Sequence, residues 1–78
     1  MLGDAAIGWG LLAAALAIIG GAIGTGMAEA SIGSAAIGMV TEKPEMSGLA
    51  ILYLVIPETI LIFGFVIAIL ILLGIGMI

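Results

Sequence analysis

The sequence predicts an all-α membrane protein built as a two-helix transmembrane hairpin. Three observations predict it. The chain of 78 residues is 65% hydrophobic and 8% charged; a soluble domain of this size needs far more polar surface and is marginal on core burial alone. Two long apolar stretches each exceed the roughly 20 residues that cross a bilayer. Between them lies the one polar cluster, Thr41-Glu42-Lys43-Pro44-Glu45.

The elements follow in order. The first helix is expected over about residues 5–40, the polar loop over 41–46, and the second helix over about 47–77. Asp4 is placed to cap the first helix and to complement its positive N-terminal end. Trp9 reads as an anchor at the headgroup level, where tryptophan is favoured. Gly20-Gly24-Ala28 forms one small-residue ridge at helical spacing, and Ala22-Gly26-Ala30-Ser34-Gly38 forms a second. Small ridges let transmembrane helices approach closely. A simple dimer needs one ridge; two, with Gly20, Gly24, Gly26 and Ala28 at their centre, suit a ring or a tightly curved bundle. Gly24-Thr25-Gly26 also looks like the start of a dinucleotide fingerprint, but that motif needs a βαβ unit for which there is no room.

Pro44 stops a helix, and Glu42, Lys43 and Glu45 keep the segment in water. With one Lys the positive-inside rule gives almost no orientation. The second helix is bulky after Ile60, with Ile, Leu, Phe and Val and few small residues. By side-chain volume alone, the thin first helix belongs on an inner circle and the thick second helix on an outer one.

Charge excludes several classes. The net charge is −4, from Asp4, Glu29, Glu42, Glu45 and Glu58 against Lys43. Such a chain has no electrostatic footprint for nucleic acid. No cysteine and no histidine is present, which removes disulfides, thiolate metal sites and the commonest metal ligand and general base. Met1-Leu2-Gly3-Asp4 lacks a basic n-region, so it does not read as a cleaved signal peptide. No resident cofactor is expected.

From Leu49 to Ile78 the single charged residue is Glu58, directly after Pro57. A carboxylate in hydrocarbon costs several kcal/mol and is a functional candidate by default. Folding the hairpin between Lys43 and Pro44 brings Glu29 to the mirrored depth of Glu58. Two carboxylates at one level in low dielectric do not both stay charged uncompensated: they share a proton, or a cation such as Na⁺ sits between them. Pro57 offers no N–H to the carbonyl of Tyr53 and disturbs that turn. The Thr59 hydroxyl and a freed backbone carbonyl near Ile56 are further oxygens for a cation or for a protonated Glu58. Thr25, one turn from Glu29, is the next polar group. Tyr53, Phe63 and the methionines read as packing residues.

The whole pattern, a glycine-rich first helix, a short Pro-containing loop and one mid-membrane Glu, resembles the rotor-ring proteolipid of rotary ATP synthases. Ile56-Pro57-Glu58-Thr59, followed by Phe63-Gly64, is most similar to the archaeal A-type and bacterial V/A-type ring proteolipid. The resemblance implies identical hairpins in a closed ring, first helices inside and second helices outside. It implies that Glu58 carries H⁺ or Na⁺, that Glu29 stands where sodium-binding relatives often have Gln, and that Thr59 is the neighbouring hydroxyl ligand. Phe63 stands where sodium-binding rings often have Tyr, and Ile60 where some carry a polar ligand. The implied partners are copies of the chain, the lipid bilayer, a stator membrane protein with a key arginine, and the central stalk, which would contact Glu42, Lys43, Pro44 and Glu45. The implied location is the cell membrane, with the termini outside and the loop in the cytoplasm. The nucleotide chemistry would belong to other components of the complex, so the chain is not itself a catalyst. Against this stand a small pore-forming, holin-like hairpin, which would want a polar stripe along a helix, and a purely structural proteolipid, which leaves Glu58 unexplained.

Overall fold

In the computed structural model, which describes residues 2–78, the chain is a narrow rod with principal extents of 59 × 16 × 11 Å. Helix α1 runs Asp4–Glu42, a one-turn 3₁₀ segment spans Pro44–Met46, and helices α2 (Ser47–Val55) and α3 (Glu58–Gly74) form the returning arm. Both arms are long and apolar enough to cross a membrane. At about 1.5 Å per residue, α1 with its 39 residues is far longer than the roughly 30 Å hydrocarbon core, so its ends extend past the apolar layer.

Several details differ from the sequence expectation. Asp4 is not the cap of α1: Gly3 holds that position in an extended conformation, and Asp4 lies inside the first turn, where its charge complements the helix dipole. The turn between the arms is tighter than expected. Thr41 and Glu42 remain helical: the backbone ladder continues to the Lys43 N–H, which donates to the Met39 carbonyl at 2.8 Å, and the Thr41 hydroxyl donates to the Ile37 carbonyl at 2.7 Å. Pro44 then opens the 3₁₀ turn at the first position, where a missing N–H costs nothing. The Ser47 hydroxyl ties back to the Pro44 carbonyl at 2.6 Å.

The returning arm is not one helix. Its ladder is interrupted at Ile56–Pro57, although both residues keep right-handed helical angles (φ −57°, ψ −47° and φ −62°, ψ −19°). Around the break the ladder tightens: Thr59 N–H donates to Ile56 O at 3.2 Å and Ile60 N–H to Pro57 O at 3.1 Å. The arm also ends earlier than 77. Gly76 takes φ +80°, its N–H bonds to Leu73, and Met77 N–H reaches back to Leu72. That pair of bonds closes a helix C-terminus around a residue for which glycine carries no Cβ penalty.

The buried stripe of α1 is Ala14, Gly21, Thr25 and Ala36; facing it on the other arm are Ala50, Pro57, Gly64 and Ala68. Small residues therefore line the seam on both arms. A Cβ added to Gly64 would lie 2.7 Å from the Ala17 carbonyl oxygen, and one added to Gly21 would lie 3.2 Å from the Ile60 oxygen. Most large side chains point outward, as lipid-facing residues do.

Candidate functional site

The site forms where the break in the returning arm meets the middle of α1. Thr25 is 3% exposed, and its hydroxyl donates to the Pro57 carbonyl at 3.0 Å. This fixes the local register: Thr25 faces Pro57. Glu29, four residues on, has its backbone one turn nearer the loop than the level of Glu58. The mirrored-depth expectation therefore misses by one turn.

The side chains close that gap. Cα–Cβ bonds tilt toward the N-terminus of their own helix. Along α1 that direction leads from Glu29 back toward the Thr25 level; along α3 it leads from Glu58 toward the loop. The two side chains lean toward each other, and their carboxyl groups come within hydrogen-bonding reach. Both residues are half-buried in the single hairpin. Two such groups are compatible when one proton bridges them or a cation joins them.

The oxygens around the pair are arranged differently from the expectation. The Ile56 carbonyl is not a free oxygen: it accepts the Thr59 N–H and also the Thr59 hydroxyl, at 2.9 Å. The carbonyl that Pro57 deprives of a helical donor is that of Tyr53. Thr59 lies on the exposed side of α3, and its oxygen keeps acceptor capacity while its proton serves Ile56. Phe63, one turn further on the same side, is 68% exposed and turned away from α1. Among the described residues, no group of three or more acidic, histidine or cysteine side chains forms a metal cluster.

Of the expected packing residues, Gly20, Gly24 and Gly26 have nothing within 4 Å of where a Cβ would stand, and Ala28 is half-buried. They are not the seam of the hairpin. The residues that make the seam, Gly21 and Gly64, were not singled out from sequence. A signal did exist: Ala14, Ala17, Gly21 and Thr25 recur at spacings of three and four, as do Gly64 and Ala68.

The chain is thus a hairpin of two membrane-length arms with a carboxyl pair beside a proline break. The family model for the C subunit of ATP synthase matches residues 12–71, and the chain belongs to that family. Members of the family are the non-catalytic, ion-carrying rotor proteins of ATP synthases, and copies of them form a ring. No curated protein and no solved structure matches the chain.

Proposed function

We propose that Glu58 is the ion-carrying group of this rotor protein and that Glu29 is its partner in holding the ion. The observation that supports this most is the meeting of the two carboxyl groups at the Ile56–Pro57 break. With H⁺ or Na⁺ bound to Glu58 and a proton kept on Glu29, the pair is neutral and tolerates a lipid-facing position. Thr59 supplies a hydroxyl oxygen beside it, and the Tyr53 carbonyl is the backbone oxygen that the proline leaves without its helical donor. The Ile56 carbonyl becomes a ligand once Thr59 turns its proton elsewhere.

In this reading, copies of the hairpin form a closed ring, α1 inside and the bulkier returning arms outside. A heterologous self-interface closes by rotation in this way. At the stator the cation leaves, the bare Glu58 carboxylate pairs with a stator arginine, and the ring advances. The turn Glu42-Lys43-Pro44-Glu45 faces the cytoplasm and meets the central stalk. The Ile56-Pro57-Glu58-Thr59 stretch favours the A-type or V/A-type assembly.

A hydrophobic carbodiimide tests the assignment. The expected result is a covalent adduct on Glu58 in the assembled ring at mildly acid pH. Absence of the adduct removes Glu58 as the carrier. Slowing by Na⁺ at fixed pH identifies sodium as cargo, whereas dependence on pH alone identifies protons. Glu58→Gln is expected to abolish coupled transport in a ring that still assembles; normal transport in that variant overturns the assignment. Glu29→Gln is expected to alter ion preference more than assembly, and an unchanged ion dependence demotes Glu29 to packing.

A further inference from the structure

Three hydroxyls of α1 have assigned bonds, and they divide into two kinds. Ser34 donates to the Ala30 carbonyl at 3.1 Å and Thr41 to Ile37 at 2.7 Å, each back to its own preceding turn. This is the usual habit of Ser and Thr inside a helix. Thr25 has the same choice and does not take it. Its hydroxyl crosses to Pro57, thirty-two positions away, and is buried. Among the described residues it is the one side-chain-to-backbone hydrogen bond that joins the two arms.

Its acceptor is the N-cap residue of α3, directly before Glu58. The Pro57 carbonyl takes two donors, Thr25 from the opposite arm and Ile60 N–H from its own. Pro57 itself is buried, and one turn away Gly21 lies against the backbone of Ile60 and Leu61. A proline break without such a tie leaves a joint in the arm; with it, the first turn of α3 is pinned to α1 at the depth of the carboxyl pair. Glu29 is on α1, one turn from Thr25, so the same bond sets the spacing of the two carboxyls.

We infer that Thr25 is a positioning residue for ion binding: its hydroxyl, through the Pro57 carbonyl, holds Glu58 in register with Glu29. This rests on the reading of Glu58 as carrier. Thr25 touches neither the ion nor the carboxylate in this role. Val at position 25 keeps the shape of Thr and removes the donor; Ser keeps the donor and removes a methyl group.

The experiment is the rate of carbodiimide labelling of Glu58 in assembled wild-type, Thr25→Val, Thr25→Ala and Thr25→Ser rings, at one pH and without added Na⁺. Wild-type rings that do not label at Glu58 defeat the carrier reading itself. Given labelling in the wild type, the expectation is a change of about threefold or more in Thr25→Val and Thr25→Ala, the scale of one neutral hydrogen bond. Thr25→Ser restores the wild-type rate. Wild-type rates in Thr25→Val overturn the positioning role. So does a Thr25→Ser rate as altered as that of Thr25→Val, which assigns the effect to packing of the methyl. If neither Thr25→Val nor Thr25→Ala forms rings while Thr25→Ser does, the bond serves assembly, and the inference is equally overturned.

Discussion

On the terminal side of Ile56–Pro57 the two arms meet backbone to backbone, and on the loop side their buried residues are the small side chains Ala36 and Ala50. Toward the termini, α3 lies so close to α1 that a methyl on Gly64 would collide with the Ala17 carbonyl. Toward the loop, α2 has one buried residue, Ala50, and leaves an apolar cleft of about 210 Å³ lined by Ile32, Ala35, Ala36, Met39, Ala50 and Tyr53. The carboxyl pair sits at the boundary. Small residues give close approach in membranes, where lipid is as apolar as leucine and packing supplies the attraction. The two segments dock by different means: α3 lies on α1 through bare backbone at Gly64, whereas α2 meets it through the small side chains Ala36 and Ala50.

The largest expected effect breaks the terminal side alone. The chain contains no cysteine, so introduced pairs report cleanly. Ala14 and Ala68 are buried and line one groove on the terminal side, while Ala36 and Ala50 line the cleft on the loop side. Paired cysteines at each location are expected to cross-link in the native hairpin. Adding Gly64→Leu is expected to suppress the Ala14/Ala68 pair and leave the Ala36/Ala50 pair. Equal loss at both locations would show the arm to be one rigid unit and dissolve the distinction. Next in size is Gly64→Ala. Its Cβ would stand 2.7 Å from backbone rather than from a flexible side chain, so the arms must shift, at about 1–3 kcal/mol. Gly21→Ala is expected to cost less, because its nearest atoms, Ile60 O and Leu61 Cα, are 3.2 and 3.3 Å away. The midpoint of thermal disassembly in detergent orders the two variants, and the reverse order would move the closest approach away from Gly64.

The hairpin and the candidate Glu58 were legible because they rest on strong one-dimensional signals. A single Pro-containing polar cluster divides two apolar spans, and an isolated Glu58 is conspicuous in hydrocarbon. The break at Pro57 was legible from chemistry, since proline lacks the N–H. Three things were not. The cap of α1 falls on Gly3 because the helix begins one residue earlier than a side-chain cap by Asp4 would require. The Ile56 carbonyl is engaged because Thr59, three residues on, supplies both an N–H and a hydroxyl to it, and counting freed carbonyls along the arm does not reveal where nearby donors turn. The seam itself was hidden by excess: α1 has small residues on several faces, so periodicity alone does not tell which face meets its own returning arm. Thr25 marks that face, as the polar residue that burial against Pro57 satisfies.

That excess yields the smallest expected effect within the hairpin. Gly20, Gly24 and Gly26 stand open, with nothing within 4 Å of an added Cβ, so Gly20→Ala should leave Ala14/Ala68 cross-linking unchanged. Between copies the expectation is the opposite. If α1 forms the inner circle of a ring, the open small-residue faces are where neighbouring α1 helices approach, and a methyl there pushes every copy from the next. Thermal disassembly of the Gly20→Ala ring is therefore expected at a lower temperature than wild type, with the hairpin intact. A ring as stable as wild type would mean that this face of α1 meets lipid or open space, and the two small-residue faces of α1 would no longer divide between holding the hairpin and holding its neighbours.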